Sequence, residues 1–315
     1  MDNFKEEKIL LTGGAGFIGS QVAQAYLLAG HKVIIIDDFS RGKRGNLPEG
    51  VIVYQVDICN LDKLCEIFIR EQPTIVNHHA ALVSVRESCQ HPELYWQVNL
   101  QGTVNVIEAA STVGVKKLIY ASSGGAIYGN AKAMPIRESA SAEPISPYGK
   151  NKLAAEKVLL SRDGNMKTVV LRYANVYGPG QDALNNNGVI TIFSNNMLRG
   201  NQSFIYGDGR QTRDFIHVRD VVNANLVVLK PRVRGIFNIG TGIGQPLIDV
   251  YLWIARLLKV AKMPIFLPGN PYEVKHNVLS VQRAREKLEW QPCVPFDRGL
   301  WETLQAIETD IHASV

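Results

Sequence analysis

The segment Leu11-Thr12-Gly13-Gly14-Ala15-Gly16-Phe17-Ile18-Gly19-Ser20 constrains the fold of this chain more than any other. The apolar run Ile9-Leu10-Leu11 precedes it and a helix-compatible stretch, Gln21 to Ala29, follows, so it reads as strand, glycine turn, helix. Gly13, Gly16 and Gly19 recur at every third position. Glycine there permits a tight turn, lets the backbone approach a pyrophosphate, and brings the positive end of the helix up to the negative charge. A second apolar run, Lys32-Val33-Ile34-Ile35-Ile36, ends in Asp37-Asp38. An acid at that point can bond the adenosine ribose hydroxyls, which favours NAD; Arg41 and Arg44 nearby keep NADP open.

Apolar strand candidates alternate with helical stretches through the first half of the chain. The strands are Lys8 to Thr12, Lys32 to Asp37, Val51 to Val56, Thr74 to His78, Lys117 to Ser122 and Thr168 to Tyr173. The helices are Phe17 to Ala29, Leu61 to Glu71, Leu94 to Val113 and Pro147 to Leu160. Buried-type strands separated by helices imply a parallel sheet covered on both faces. The expected class is therefore α/β: a Rossmann-type doubly wound parallel sheet over residues 1–174, with a smaller α/β substrate-binding lobe over 175–315. Phe215 to Val222 and Ile236 to Ile239 look sheet-forming, so segments near 211–240 are expected to return to the first domain.

A chain of 315 residues, 46% hydrophobic, can bury a large core. Its net charge of +5 comes from dispersed basic residues, which suits an anionic small substrate and not nucleic acid. Cys59, Cys65, Cys89 and Cys293 form neither a C-x-x-C pair nor a metal-ligand cluster, as expected of reduced thiols in a cytoplasmic protein. Met1 to Lys8 is charged and gives no signal-peptide pattern, and no apolar run reaches membrane-spanning length.

Tyr148 and Lys152 stand one helical turn apart in Ser146-Pro147-Tyr148-Gly149-Lys150-Asn151-Lys152 and so share a helix face. A phenol with an ordinary pKa near 10 is a poor base at neutral pH, and a cation beside it favours the phenolate, so the pair can act as a tuned acid/base.

These motifs occur in one order with Val56-Asp57-Ile58, His78-His79-Ala80-Ala81, Val98-Asn99-Leu100-Gln101-Gly102-Thr103, Ser122-Ser123-Gly124-Gly125-Ala126-Ile127-Tyr128-Gly129, Leu171-Arg172-Tyr173-Ala174-Asn175-Val176-Tyr177-Gly178-Pro179 and Gly207-Asp208-Gly209-Arg210-Gln211-Thr212-Arg213-Asp214-Phe215. Over nearly its whole length the chain resembles the extended short-chain dehydrogenase/reductases of the nucleotide-sugar epimerase/dehydratase family, most of all the UDP-glucose 4-epimerase group. The resemblance implies NAD held by Gly13, Gly16, Phe17, Ile18, Asp37, Asp38, Asp57, Ile58, Ala80, Ala81, Asn99, Tyr148 and Lys152. Asp57 is equally suited to cap the helix that starts at Leu61, and Asn99 to bond the backbone. His78 and His79 invite a metal reading, but no further ligands stand at suitable spacing, so packing and loop roles are expected.

The resemblance also implies catalysis by Ser123, Tyr148 and Lys152, with Ser122 the rival to Ser123. Dehydratases of the family carry Asp-Glu after this serine and decarboxylases a Glu; Gly124, Gly125 and Ala126 cannot move a proton, which points to plain epimerisation at carbon 4. Tyr148 would take the proton of the sugar 4-hydroxyl as hydride passes to NAD, and the 4-keto sugar would turn over and be reduced on its other face. Ser123, Tyr148, Asn175 and Arg213 would hold the UDP-sugar, Asn175 and Arg213 at the diphosphate. Arg suits phosphate through its planar fork, though a surface pair with Asp214 is the alternative. The family often has Arg-x-Gly-Asp/Glu near residue 270, where this chain has Asn270-Pro271-Tyr272-Glu273. UDP-glucuronate or a UDP-N-acetylhexosamine remain alternative substrates, a net NAD(P)-dependent sugar dehydrogenase or reductase an alternative reaction, and a dinucleotide sensor an alternative without catalysis. A homodimer is expected through the helices over Leu94 to Val113 and Pro147 to Leu160, using Val98, Val106, Ala109, Ala110, Leu153, Leu159 and Leu160.

Overall fold

The computed structural model describes residues 6–162, 166–182, 188–269 and 273–313. The chain divides into two compact units. The first comprises the chain up to Ser123, Ser146–Arg172 and Val222–Phe237; the second comprises Gly124–Ile145, Tyr173–Val221 and the chain from Asn238 onward.

A seven-stranded sheet builds the first unit. Its strands are β1 (Lys8–Thr12), β2 (Lys32–Asp37), β3 (Ile52–Gln55), β4 (Ile75–His78), β5 (Lys117–Ser123), β6 (Lys167–Tyr173) and the later strand Gly235–Ile239. Their spatial order is Gly235–Ile239, β6, β5, β4, β1, β2, β3, and β3-β2-β1-β4-β5 pair parallel throughout. β1 pairs with β2 from Lys8↔Lys32 to Thr12↔Ile36 and with β4 from Ile9↔Ile75 to Thr12↔His78. The strand order therefore reverses at β1, and the crevice beyond the carboxyl ends of β1 and β4 is where sheets of this kind bind ligands. Leu10, Ile34, Ile36, Val76, Leu118 and Tyr120 from the strands form one core with Phe68, Val106 and Leu159 from the helices.

The helices Phe17–Leu28, Leu61–Glu71 and Pro147–Ser161 start where the sequence places them. The helix expected over Leu94 to Val113 is instead three pieces: Pro92–Trp96, a widened π-type turn at Gln97–Gln101, and Gly102–Thr112. Such turns interrupt the regular ladder and cluster at functional sites. Here the turn contains Asn99.

The dimer seam expected from the sequence is largely spent inside the subunit. Val106, Ala109, Ala110 and Leu159 are buried in the core, and Val98 and Leu160 pack against it. These positions cover the sheet, as amphipathic helices flanking a parallel sheet must. The exposed apolar side chains of this region are Val83, Leu94 and Trp96.

In the second unit Thr212–His217 is the hub of a four-stranded sheet. It pairs antiparallel with Gly244–Pro246 and parallel with His276–Asn277 and Asn175–Tyr177. Thr212–His217 therefore does not rejoin the large sheet, and Val218 onward is helix (Val218–Val227) where strand was expected. Tyr177, Phe193, Phe215, Tyr251 and Leu300 centre its separate core. Among the described residues no helix is long and apolar enough to cross a membrane.

Candidate active site

The glycine turn sits at the carboxyl end of β1. Gly13 has φ +71°, and a Cβ there would lie 2.5 Å from the Ala80 nitrogen. A Cβ on Gly19 would lie 2.2 Å from the Gly13 carbonyl oxygen. Any side chain at either position would push the turn off the end of β4 or off its own helix. Gly16 is the N-cap of Phe17–Leu28 and gives no side-chain cap bond, so the first-turn N–H groups are left to an external acceptor, as a pyrophosphate site requires. Gly13, Gly16, Phe17 and Ile18 are all half-buried, an accessible rim over buried Gly14 and Ala15.

Asp37 ends β2 and is buried. Its Oδ2 accepts the Ala15 N–H and its Oδ1 the Phe39 N–H, both at 2.9 Å. Burial raises its pKa and these two backbone donors oppose the rise. The carboxylate thus ties the glycine turn to β2 and still has lone pairs for ribose hydroxyls. Asp38 is exposed and bonds Ser40. The arginines that kept NADP open have protein partners: Arg41 pairs with Glu87, while Arg44 donates to Gln55 at 2.6 Å and lies 4.2 Å over the Phe39 ring. Asp57 accepts from Cys59 N–H at 2.8 Å in a local turn and does not cap the next helix; Asn60 does, accepting from Lys63 N–H at 3.1 Å. Ile58 beside it is buried.

Asn99 clamps the backbone after β4, accepting from Leu82 N–H and donating to Leu82 carbonyl, both at 2.8 Å. Ala80 N–H donates to Thr12 Oγ1 at 3.2 Å, and Ala81 follows, half-buried, on the clamped turn. His78 lies between the hydroxyls of Thr12 (2.6 Å) and Thr103 (2.9 Å), a packing role. Among the described residues no group of three or more His, Cys, Asp or Glu could hold a metal.

Ser123 closes β5. Ser146 caps the helix Pro147–Ser161 by accepting from Gly149 N–H at 3.1 Å, and Pro147 occupies its first turn. These start signals fix Tyr148 in the first turn and Lys152 one turn on. The Tyr148 phenol is buried, and the Ser123 hydroxyl near it favours the phenolate. Lys152 donates to the Ala121 carbonyl at 2.8 Å, and its ammonium lies 4.8 Å over the Tyr120 ring. Burial pushes the phenol up to about 12, and Ser123 opposes the rise. Burial likewise brings the Lys152 ammonium down to about 7. Each group's charged form is disfavoured by the same dry surroundings.

Ser122, the rival serine, has a different partner. Successive strand residues face opposite ways, and Ser122 donates to buried Glu156, which is paired with Arg172 at 2.6 Å. Glu156 was not singled out from the sequence; its signal was its place one further turn along from Tyr148 and Lys152.

In the second unit Asn175 starts the strand Asn175–Tyr177, and its Oδ1 is buried with no hydrogen-bond partner. Arg213 lies on the hub strand, buried. It donates to Glu273 at 2.8 Å and to the Thr212 carbonyl at 2.9 Å. The alternative pair with Asp214 is absent: Asp214 is buried and accepts from Thr241 at 2.8 Å, from Gly242 at 3.1 Å and from Leu279 at 3.2 Å. Asn270, Pro271 and Tyr272, where the family arginine is missing, lie outside the described residues. Asn277, beside Arg213 in register, donates to the Gly124 carbonyl at 2.9 Å, and its buried Oδ1 has no partner. Buried acceptors without donors are rare in native proteins; the described residues hold three buried amide oxygens of this kind, on Asn77, Asn175 and Asn277.

Comparison with known proteins agrees with this architecture. A UDP-glucose 4-epimerase of Mycolicibacterium smegmatis is 36% identical over 95% of this chain and 97% of its own. A Thermotoga maritima UDP-glucose 4-epimerase, solved with UDP-glucose, superposes with a TM-score of 0.93 at 38% identity, covering 96% of this chain and 99% of that one. A UDP-N-acetylglucosamine 4-epimerase of Methanobrevibacter ruminantium, solved with UDP-N-acetylmuramic acid, gives 0.90 at 32% identity, covering 98% and 100%. Residues 9–240 match the family model described as the NAD dependent epimerase/dehydratase family, and the chain belongs to that family.

Proposed function

We propose that the protein interconverts UDP-glucose and UDP-galactose, acting as an NAD-dependent UDP-sugar 4-epimerase. The observation that carries this reading is the buried Tyr148 phenol, with the Ser123 hydroxyl near it favouring the phenolate, beside a turn, Gly124–Ile127, that holds no carboxylate. Proton traffic is thereby confined to one sugar oxygen.

The uncapped helix start at Gly16, the close-packed Gly13 and Gly19, and the Asp37 carboxylate fit NAD. When bound, NAD supplies a hydride acceptor that becomes the donor, together with a positive charge in the pocket. Tyr148 takes the proton of the sugar 4-hydroxyl and later returns it, and the Ser123 hydroxyl steadies the phenolic oxygen during both transfers. Lys152, as the ammonium, stabilises the phenolate. Arg213 binds the diphosphate, and Asn175 and Asn277 accept hydrogen bonds from the nucleotide sugar. Firm contacts at the diphosphate and few at the hexose leave the sugar room to turn over.

UDP-N-acetylglucosamine is the second reading. The small side chains Asn277 and Val278 leave space for an N-acetyl group, and the Methanobrevibacter relative favours it. Incubation with UDP-glucose, UDP-N-acetylglucosamine and UDP-glucuronate, with products resolved chromatographically, separates the two. Conversion of UDP-glucose without consumption of NAD is the expected result; release of NADH would replace the proposal with a dehydrogenase.

The four free cysteines fit a cytoplasmic setting. A homodimer would bury the exposed Leu94 and Trp96, and a single monomeric species in sedimentation at micromolar concentration would exclude it.

A further inference from the structure

The mechanism above does not use the most deeply buried carboxylate near its catalytic helix. Glu156 is 1% exposed. Its oxygens take the Ser122 hydroxyl, Arg172 Nε at 3.1 and 3.2 Å, and Arg172 Nη2 at 2.6 Å. Ser122 is on β5 and Arg172 on β6, so one side chain of the helix Pro147–Ser161 is stapled to two neighbouring strands. A buried ion pair is a poor source of stability, since desolvation offsets most of the attraction. Its retention here calls for another role, and its position offers one. Tyr148, Lys152 and Glu156 stand on successive turns of one helix face. Ser122 lies between Ala121, whose carbonyl accepts from Lys152, and Ser123, whose hydroxyl favours the Tyr148 phenolate.

We propose that Glu156 is a positioning residue for the proton-transfer pair: it pins Ser122 so that the ends of β5 and the helix keep Ser123 on Tyr148, and it supplies the anion that keeps the buried Lys152 ammonium charged. This role rests on the proposed epimerase reading. Among the described groups facing Lys152 the carboxylate is Glu156, which it shares with Arg172 on β6. Its own helix presents Tyr148 and Glu156, β5 presents the Tyr120 ring and the Ala121 carbonyl, and the end of β4 presents His78 and His79. Burial drives both histidines down, His79 to about 3, so neither is an ion of either sign at neutral pH. Burial lowers Lys152 and the Glu156 charge opposes it.

The test compares the NAD-loaded protein with Glu156→Gln, Glu156→Asp and Ser122→Ala. Lys152 is followed by 13Cε NMR across pH, alongside the pH profile of kcat. Glu156→Gln is expected to move the Lys152 midpoint at least about one pH unit lower, the equivalent of a tenfold loss of the charged form above it. The descending limb of kcat should move with it. Glu156→Asp should titrate between the two. Ser122→Ala, which removes the pin and leaves the charge, should lower kcat several-fold, on the order of one lost hydrogen bond, with the midpoint and KM unchanged.

A Glu156→Gln midpoint equal to that of the wild type overturns the proposal, whatever the loss of rate. Should Glu156→Gln fail to fold, an unshifted Glu156→Asp does the same. A protein that turns over no UDP-sugar but shows the NMR shift refutes the epimerase reading and leaves the electrostatic role of Glu156 standing.

Discussion

The polar groups at the end of β5 and those around Thr212–His217 are held differently. At the end of β5 the ionic groups are paired within the unit, Glu156 by Ser122 and Arg172, and Lys152 by the Ala121 carbonyl, while the Tyr120 hydroxyl and Asn151 Nδ2 are buried without a hydrogen-bond partner. In the second unit two buried amide oxygens, on Asn175 and Asn277, lack donors. The buried Arg213 guanidinium there is held by half-buried Glu273. On the proposed function the first arrangement would serve the reaction, since groups that must transfer a proton gain from being fixed beforehand, and the second would take the substrate. Substitutions in the two should then separate into kcat and KM effects.

Tyr148→Phe should have the largest effect. It removes the acid/base oxygen and one hydrogen bond, and kcat should fall by about 10³-fold, within the range of general acid–base catalysis. UDP-sugar and NAD affinities should stay close to wild type in calorimetric titration. Retention of wild-type turnover would remove Tyr148 from the mechanism and end the contrast.

Lys152→Met should lower kcat by about 10²-fold and change stability in the opposite sense. Lys152 titrates at about 7 in the folded chain instead of its ordinary 10.5. Between those values the unfolded chain binds more protons than the folded one, so this lysine makes stability rise with pH across that window. Below pH 7 the ion is buried at full cost; above 10.5 the cost is gone. Methionine has no such cost, so Lys152→Met should raise the thermal midpoint near pH 7 and flatten the rise towards pH 10. Parallel stability–pH curves for the two proteins would show that the lysine is not desolvated.

Arg213→Ala tests the other half and should be the smallest effect. KM for UDP-sugar should rise by about tenfold or somewhat more, the worth of one charged hydrogen-bonding group, with kcat within about threefold, since the change should weaken ground-state and transition-state binding alike. Steady-state kinetics decide it: a fall in kcat with KM unchanged would place Arg213 in the chemistry and blur the division between the units.

Much of this was legible in the residues. The period of the apolar runs located β1 to β6 within two residues of where they lie, and the glycine turn, the acid after β2 and the Tyr148–Lys152 spacing stand as read. These features are local, set by turn geometry, helix period and pleat, and a short stretch of sequence contains them. What stayed hidden depended on partners remote in the chain. Asn60 takes the cap that Asp57 could have taken, and Asn99 breaks its helix with a wide turn to hold Leu82. Val106 and Leu159 face the sheet and not a second subunit because both faces of a parallel sheet must be covered. The partner of Ser122 is Glu156, on the following helix, itself held by Arg172 on β6. Arg213 found Glu273 in place of its neighbour Asp214, because strand alternation turns consecutive residues apart and Asp214 is held by Thr241, Gly242 and Leu279. The sequence alone determined which chemistry the chain can carry; the tertiary structure decided which partner each of two adjacent side chains finds, because burial and hydrogen-bond satisfaction are settled between segments and not within them.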